Sequence, residues 1–541
     1  MAVTLAEYNT LQRLAAVANN EFWYEDINVA AGTMVELAAA NGDIDTTDNL
    51  NIFEYYQKVI VVNGTKLKIA DFVNTKLTVT ALTTAPTRGA IVTQLTSGAT
   101  MVVDFVNAAK TIIYGKTTNG TFTTTTGHTL SGGSMDPTTR VPSAVAEAST
   151  TPHWYDYVVY PDSASGSLPA TAYIGCSWRG RAVLSGNPDD PQQWYMSRQA
   201  DHTDFAYVAN DVQSPVAGGE DPNVPGKTGD VVRALIPRGK DYLILGCATS
   251  MWVFAGDPAD GGTLSELDDT VGIFGANSWT LDEDENLYFW GTGGVYKISR
   301  GLNTVENLTN ISLPGLIGDE AADPTTHRIT IAYDRKRFGL VICITKLSDG
   351  SNSNYFYSLP EVTRGFYPES YPDECGAYSS FYYAANDTTL RDLLIGCKDG
   401  YIRKFDEADK DDDIGASDQA ISSYVTLGPL KLAKENKEGI IHSIAGYTAG
   451  GDTGSTEDDS DDIGYKVFMG RSSAKAAEKA AANTSPKVSG TLQTPARPRG
   501  RTKKQKIRGV YTSIRLENTT AAETMSFDRL LVKTQQRGRV K

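Results

Sequence analysis

The 541-residue chain lacks any run of 18 uncharged apolar residues, so no membrane span is expected. Its five cysteines (Cys176, Cys247, Cys343, Cys375 and Cys397) are odd in number and widely spaced, and none forms a CxxC pair. That excludes a disulfide framework and a structural zinc site from the expectations, and it fits thiols made in a reducing compartment. The five histidines, His128, His153, His202, His327 and His442, are isolated from one another in sequence. The opening segment, MAVTLAEYNTLQRLAAVANN, carries acid and polar groups where a secretory signal needs continuous apolar residues, so Sec-type export is not expected. Ser-centred hydrolase elbows, P-loops and dinucleotide fingerprints are missing too. GTGGVY at Gly291 and CATSMW at Cys247 are turns leading into strands, whereas phosphate cradles open helices.

What is present is repetition. Six times an apolar strand enters a tight Gly-containing turn and leaves as a second apolar strand: VIVVNGTKLKIADF at Val59, RAVLSG at Arg181 with WYMS at Trp194, YLILGCATSMWVFAG at Tyr242, LYFWGTGGVYKIS at Leu287, LVICITKLSDG at Leu340 with NYFYSL, and LLIGCKDGYIRKF at Leu393. Their marker glycines, Gly64, Gly186, Gly246, Gly293, Gly350 and Gly400, are 122, 60, 47, 57 and 50 residues apart. Four of these spacings lie near the roughly 40–50 residues of a propeller blade. The first is longer by a small domain. Its excess coincides with a Thr- and Gly-dense stretch, VTALTTAPTRGAIVTQLTSG and onward, whose β-branched residues between NG, SG and GG turns read as an inserted β-domain.

The fold class expected is all-β: a β-propeller of about six blades with an inserted small β-domain, a short N-terminal helix and a β-rich C-terminal region. The organisation expected is an N-terminal helical arm over 1–40, the propeller over 41–73 and 141–410, the insertion over 74–140, and a C-terminal β region over 411–541. Thr4 and Glu7 fit a capping box, and Leu5, Leu11, Leu14, Ala15 and Val17 group at helical spacing. Such a helix packs on its own domain or docks on a neighbouring subunit. The terminal VYTSIRLE and FDRLLVKT are expected to complete the first blade and close the circle.

Charge is uneven. Residues 496–541 hold thirteen Lys or Arg against three acids, a net of +10, which leaves −25 on the preceding residues from the total of −15. Most of the surface would therefore repel DNA. The basic run from Arg497 to Arg508 suits phosphate or an acidic neighbour, and equally a solvated or inter-subunit segment.

Candidate chemistry is sparse. DEADKDDDIG, read from Asp406, puts Asp411 where a calcium loop needs Gly and has no Glu in register, so it reads as a solvated acidic loop. Asp201 and Asp204, and Asp282, Glu283 and Asp284, are carboxylates of the type that glycoside hydrolysis needs in pairs, though the second set fills a turn, where acids are the default. The sialidase Asp-box is absent. The seven tryptophans, Trp23, Trp154, Trp178, Trp194, Trp252, Trp279 and Trp290, lie mostly in β-patterned runs, as a blade core requires, with a sugar-stacking surface as the alternative. No catalytic, cofactor-binding or metal-binding residue is assigned.

The segment NPDDPQQWYMSRQADHTDFAY, Asn187 to Tyr207, combines an Asn-Pro, an aromatic strand ending in Ser-Arg and an Asp-Phe soon after. With RALIPRGKDYLILGCATSMWVFAG, VGIFGANSWTLDEDENLYFWGTGGVYKIS, LLIGCKDGYIRKFD, SYVTLGPLKL with GIIHSI, and FDRLLVKTQQRGR, it resembles the nozzle or packaged-DNA stabilisation propellers of short-tailed phage tails, over roughly 154–541. The resemblance implies a virion tail nozzle subunit, assembled in the host cytoplasm, in a hexameric ring around the DNA-ejection channel. It also implies an adaptor or portal-proximal ring and fibres or a plug as partners, and genomic DNA passing without specific binding. No catalytic residue comes with it, so the chain is expected not to be an enzyme. The alternatives are another tail component on the same propeller, and a glycan-binding or glycan-cleaving propeller.

Overall fold

A computed structural model describes the chain except for residues 1, 5–11, 27–31, 46–48, 149–150, 220–227, 303, 406–409, 415–416, 435–436, 448–462, 493–500, 522–524, 527–528 and 540–541. Nearly all of its regular structure is antiparallel β. Each of the six glycine-turn segments is a hairpin, because its two apolar runs are close enough in sequence for a short turn to set their register. In the longest, Gly339–Lys346 pairs with Asn352–Ser358, placing Ile342 opposite Tyr355. The marker glycines serve different ends. Gly400 occupies the left-handed region at φ +88, as a tight turn requires. Gly246 lies within a strand, where a Cβ would come within 2.6 Å of Ile273.

The chain divides into two units, the first comprising Met1–Glu369 and Cys375–Lys404. Seven sheets follow one another in it. The first is Ala2–Thr4, Gln12–Ala18, Glu21–Glu25 and Met34–Glu36; the second is Asn51–Tyr55, Lys58–Val62, Leu67–Asp71 and His153–Asp156. The third runs from Ile174–Trp178 to Val216–Gly218, the fourth from Val232–Arg238 to Thr263–Asp268, and the fifth from Trp279–Leu281 to Val305–Asn307. The sixth runs from His327–Asp334 to Gly365–Glu369, and the three-stranded seventh from Ala377–Tyr383 to Ile402–Lys404.

Neighbouring sheets pack through shared apolar clusters. Phe22 and Tyr24 of the first meet Val59 and Val61 of the second; Trp178 and Trp194 of the third meet Leu243 and Phe254 of the fourth; Tyr288 and Trp290 of the fifth meet Leu340 and Ile342 of the sixth. Val59, Ile60, Val61 and Val62 are all fully buried because the second sheet is covered on both faces, and each such side chain contributes roughly 1.5–3 kcal/mol. Buried Arg181 ties the third sheet to the fourth: it donates to both carboxylate oxygens of Asp257 at 3.0 and 3.1 Å and to the carbonyls of Ser197 and Ser214.

The long first spacing holds a six-stranded sheet running from Thr75–Thr78 to Ala144–Glu147, inserted between the third and fourth strands of the second sheet. Its Phe105 and Tyr114 pack on Tyr155 of that sheet, with ring centroids 4.9 and 4.3 Å apart.

Two expectations are corrected. Gln12–Ala18 is a strand, not a helix, and residues 5–11, with Leu5, Glu7 and Leu11, lie outside the described set. Asn19 and Asn20, at φ 54 and 61, form a two-residue turn that returns the chain into Glu21–Glu25, and this turn outweighs the helical spacing. The terminal strands do not complete an early sheet. Tyr511–Asn518 and Arg529–Arg539 pair within the second unit, and the sheet they were expected to finish has its fourth strand from His153–Asp156.

The second unit, Ser370–Glu374 and Phe405–Lys541, packs two of its described sheets around one core, beside the two-stranded hairpin of Asp411–Ile414 and Ser417–Ala420. One has the order Ser423–Lys431, Tyr511–Asn518, Gly464–Gly470, Val488–Thr491; the other has Lys437–Tyr447 between Arg501–Gly509 and Arg529–Arg539. Ile441, Ile444 and Ile507 of the second sheet meet Val467, Ile514 and Leu516 of the first. A helix, Ser473–Ala481, starts at Ser472, whose hydroxyl accepts from the Lys475 amide at 3.3 Å. Its alanine-rich composition favours it. No helix of the described residues is long and apolar enough to cross a membrane.

Candidate functional site

The first strands of six sheets in the first unit, the second to the seventh, converge on one cavity of ≈ 390 Å³. Every one of those strands supplies lining: Asn51 and Phe53, Ile174 and Cys176, Leu235 and Pro237, Trp279 and Leu281, Ile331 and Tyr333, Phe381 and Tyr382, with Arg335 one residue past the strand that carries Tyr333. Phe53, Ile174, Leu235 and Ile331 are buried, whereas Trp279, Tyr333 and Tyr382 are half-buried and Arg335 is exposed. The Arg335 guanidinium lies 4.7 Å from the centre of the Tyr382 ring, which gives the cavity one cation held over an aromatic face.

Aromatic faces, the Asn51 and Asn277 amides, hydroxyls and one guanidinium are binding chemistry. No Asp or Glu lines the cavity, so the paired acids of glycoside hydrolysis are not found there. Burial pushes the Cys176 thiol well above the usual thiol range, leaving it protonated and unreactive near neutrality.

The carboxylates singled out from sequence lie elsewhere. Asp201 accepts from the Thr203 amide and hydroxyl at 2.9 and 2.7 Å and pairs with Arg88 at 3.4 Å. Asp204 is held above the usual carboxylate range, first by burial and then by neighbouring Asp201, against the Ala206 amide it accepts. Asp282 is committed to its turn, accepting from the Asp284 and Asn286 amides, the Asn286 side chain and the Tyr288 hydroxyl, with Glu283 and Asp284 exposed. A second cavity of ≈ 310 Å³ is lined by Tyr195, Phe205 and Tyr207 together with Pro215 and Val216.

Asp406 falls outside the described residues, while Asp411–Ile414 forms a hairpin with Ser417–Ala420, and burial lifts the Asp412 carboxyl to about 6. Among the described residues no group of three His, Cys, Asp or Glu is placed to hold a metal ion. Trp178, Trp194 and Trp290 are core residues, whereas Trp279 lines the first cavity.

Sequence reasoning missed a buried charge network beneath the insertion. Asp104 of the inserted sheet pairs with Lys58 of the second sheet and with Arg88 at 2.9 Å, and accepts from Asn74 at 2.8 Å. Burial opposes its charge, but Lys58, His202 and Arg88 overcome that and hold the carboxyl far below its usual range. His202 is fully buried close by, between Tyr55 and Tyr157, with neither ring nitrogen hydrogen-bonded. Lone charged residues inside β-patterned runs were the available signal, but partners tens to hundreds of residues apart leave no spacing to read.

No family model matches the chain, and no curated protein does. Solved structures do. It is similar to an exo-β-1,3-galactanase from Phanerochaete chrysosporium solved with galactose, at 10% identity over 66% of this chain and 95% of that one, with a TM-score of 0.23. It is also similar to a Bacteroides thetaiotaomicron protein of unknown function, at 12% identity over 70% and 90% of the two chains, with a TM-score of 0.25. The extracellular domain of a putative hybrid two component system from B. thetaiotaomicron matches at 8% identity over 75% and 52%, with a TM-score of 0.21. Likenesses at this level assign no activity or substrate. The expectation that the chain is not an enzyme is corrected, since the matched structures include an exo-β-1,3-galactanase.

Proposed function

We propose that the chain is a virion protein of a phage tail, a nozzle subunit whose seven successive sheets are the blades of a propeller. The observation that carries this reading is the run of meander sheets built on the six glycine-turn hairpins, with the resembling segment Asn187–Tyr207 spanning a strand of the third sheet and the loop after it. In this reading copies of the chain form a six-membered ring around the DNA channel, between an adaptor ring and fibres or a plug. Mass measurement and imaging of purified tails test it. The expected result is a ring of several copies of this chain, and an isolated monomer absent from virions overturns it.

A second reading, a glycan-binding propeller, is favoured by the aromatic cavity. Saccharides stack on rings and hydrogen-bond to amides, and Trp279, Tyr333, Tyr382 and Asn277 offer both. Titrating host surface polysaccharide fragments against Trp279 fluorescence tests it, with Trp279→Ala expected to abolish the response. Scoring the same samples for released sugar reports any turnover.

A further inference from the structure

The three-stranded sheet of the second unit concentrates positive charge in an acidic chain. Its strands Lys437–Tyr447, Arg501–Gly509 and Arg529–Arg539 hold ten Lys or Arg and one acid, Glu438, a net of +9. Subtracting this from the total of −15 leaves −24 for the rest. The sheet has an inner and an outer face. Ile441, Ile444 and Ile507 enter the core, while Lys506 and Arg508, flanking Ile507, are exposed. Ile440 pairs with Arg508 on one side and Gln535 on the other, so exposed Lys533, two residues from Gln535, shares the outer face with them. Among the described residues Lys506, Arg508 and Lys533 make no ion pair, in contrast to Lys466 and Arg515 on the other sheet, which both pair with Glu517.

We infer that this outer face binds the phosphodiester backbone of nucleic acid without reading its sequence. Alternate residues of a strand lie about 6.6 Å apart on one face, so Lys506 and Arg508 form a row of cations with Lys533 across the sheet. A row of unneutralised cations gains by releasing counterions from a polyanion, whereas a folded acidic protein surface has few condensed counterions to release. Acids farther from the face than a Debye length, about 10 Å at 0.1 M salt, weaken this little because their repulsion is screened. The inference is independent of the tail reading, since it uses the sheet's charge alone.

The test is fluorescence anisotropy of the full chain with a random-sequence duplex of about thirty base pairs, titrated across salt. Expected is binding that weakens by roughly 40-fold between 50 and 200 mM salt for every three phosphates contacted, the fourfold salt change raised to about 2.7. The triple variant Lys506→Ala, Arg508→Ala, Lys533→Ala lowers the salt slope by about 2.7, and the charge-keeping variant Lys506→Arg, Lys533→Arg retains binding. Unchanged circular dichroism shows that the alanine variant folds. Absence of binding at 50 mM salt, or binding that the triple variant leaves intact, overturns the inference. So does a triple variant that loses self-association in sedimentation while the parent ignores DNA, which would make the partner a second copy of this chain.

Discussion

The Tyr383 hydroxyl donates a hydrogen bond to the Glu25 carboxylate, joining the last sheet of the first unit to its first across 358 residues of sequence. Glu25 also accepts from the Leu14 amide at 3.1 Å and the Gly32 amide at 2.9 Å, and Gln12 and Asn386 bond to each other beside it. Nothing in the sequence near either residue marks the pairing.

Tyr383→Phe removes that donor and leaves a nearly buried carboxylate one partner short. Loss of a hydrogen bond to a charged group costs about 1.5–3 kcal/mol. Urea unfolding is expected to show a lower midpoint with an unchanged slope. An unaltered midpoint would mean that the first and seventh sheets do not depend on each other.

Asp104→Asn leaves Lys58 and Arg88 without the carboxylate that both face. Breaking a fully buried pair from one side costs about 3–5 kcal/mol, an upper bound here because Lys58 is buried but Asp104 and Arg88 are only partly so. The pH dependence has a definite sign. The Asp104 carboxyl is depressed in the fold, so its stabilisation is complete above the ordinary Asp value near 4 and is lost as pH falls below it toward the depressed value. Acid unfolding of the parent is therefore expected to be steeper below about pH 4 than that of the variant.

His202→Leu addresses a higher part of the same acid limb, just below neutrality. Burial, with Lys58 and Arg88 nearby, depresses this imidazole well below its usual value despite Asp104. The unfolded chain takes up a proton near pH 6.5 and the folded one does not, so the stability tied to neutral His202 is complete above that pH and declines below it. The parent is expected to lose up to about 1.4 kcal/mol per pH unit more than the variant between pH 6 and 5, read from urea midpoints. Parallel profiles would show that His202 is charged or solvated in the fold.

Gly246→Ala places a methyl group 2.6 Å from Ile273, on the strand between the fourth and fifth sheets' shared core. Overpacking of this kind costs about 1–3 kcal/mol, and the double variant Gly246→Ala, Ile273→Leu, which lacks the contacting Cγ2 methyl at similar volume, is expected to recover part of the loss. Thermal unfolding of the three proteins measures it.

The six hairpins were legible because their information is local: Val59–Phe72 or Leu393–Phe405 carries both strands and the turn within a few residues. Local spacing also misled. The Leu and Ala repeat at 11–17 resembles a helix face, yet Asn19-Asn20 was the stronger signal, since a two-residue turn fixes strand pairing directly.

By itself the sequence determined the strands, their turns and the place where a β-domain interrupts the second sheet, because alternating β-branched residues and turn residues act on near neighbours. Only tertiary structure decided that Phe53, Trp279 and Tyr382 line one cavity, that Asp104 meets Lys58, and that Lys506 and Lys533 share one face of a sheet. Those meetings follow from how sheets pack and pair across long stretches of chain, where each residue's partner is set by the sum of many apolar contacts and no nearby residue encodes it.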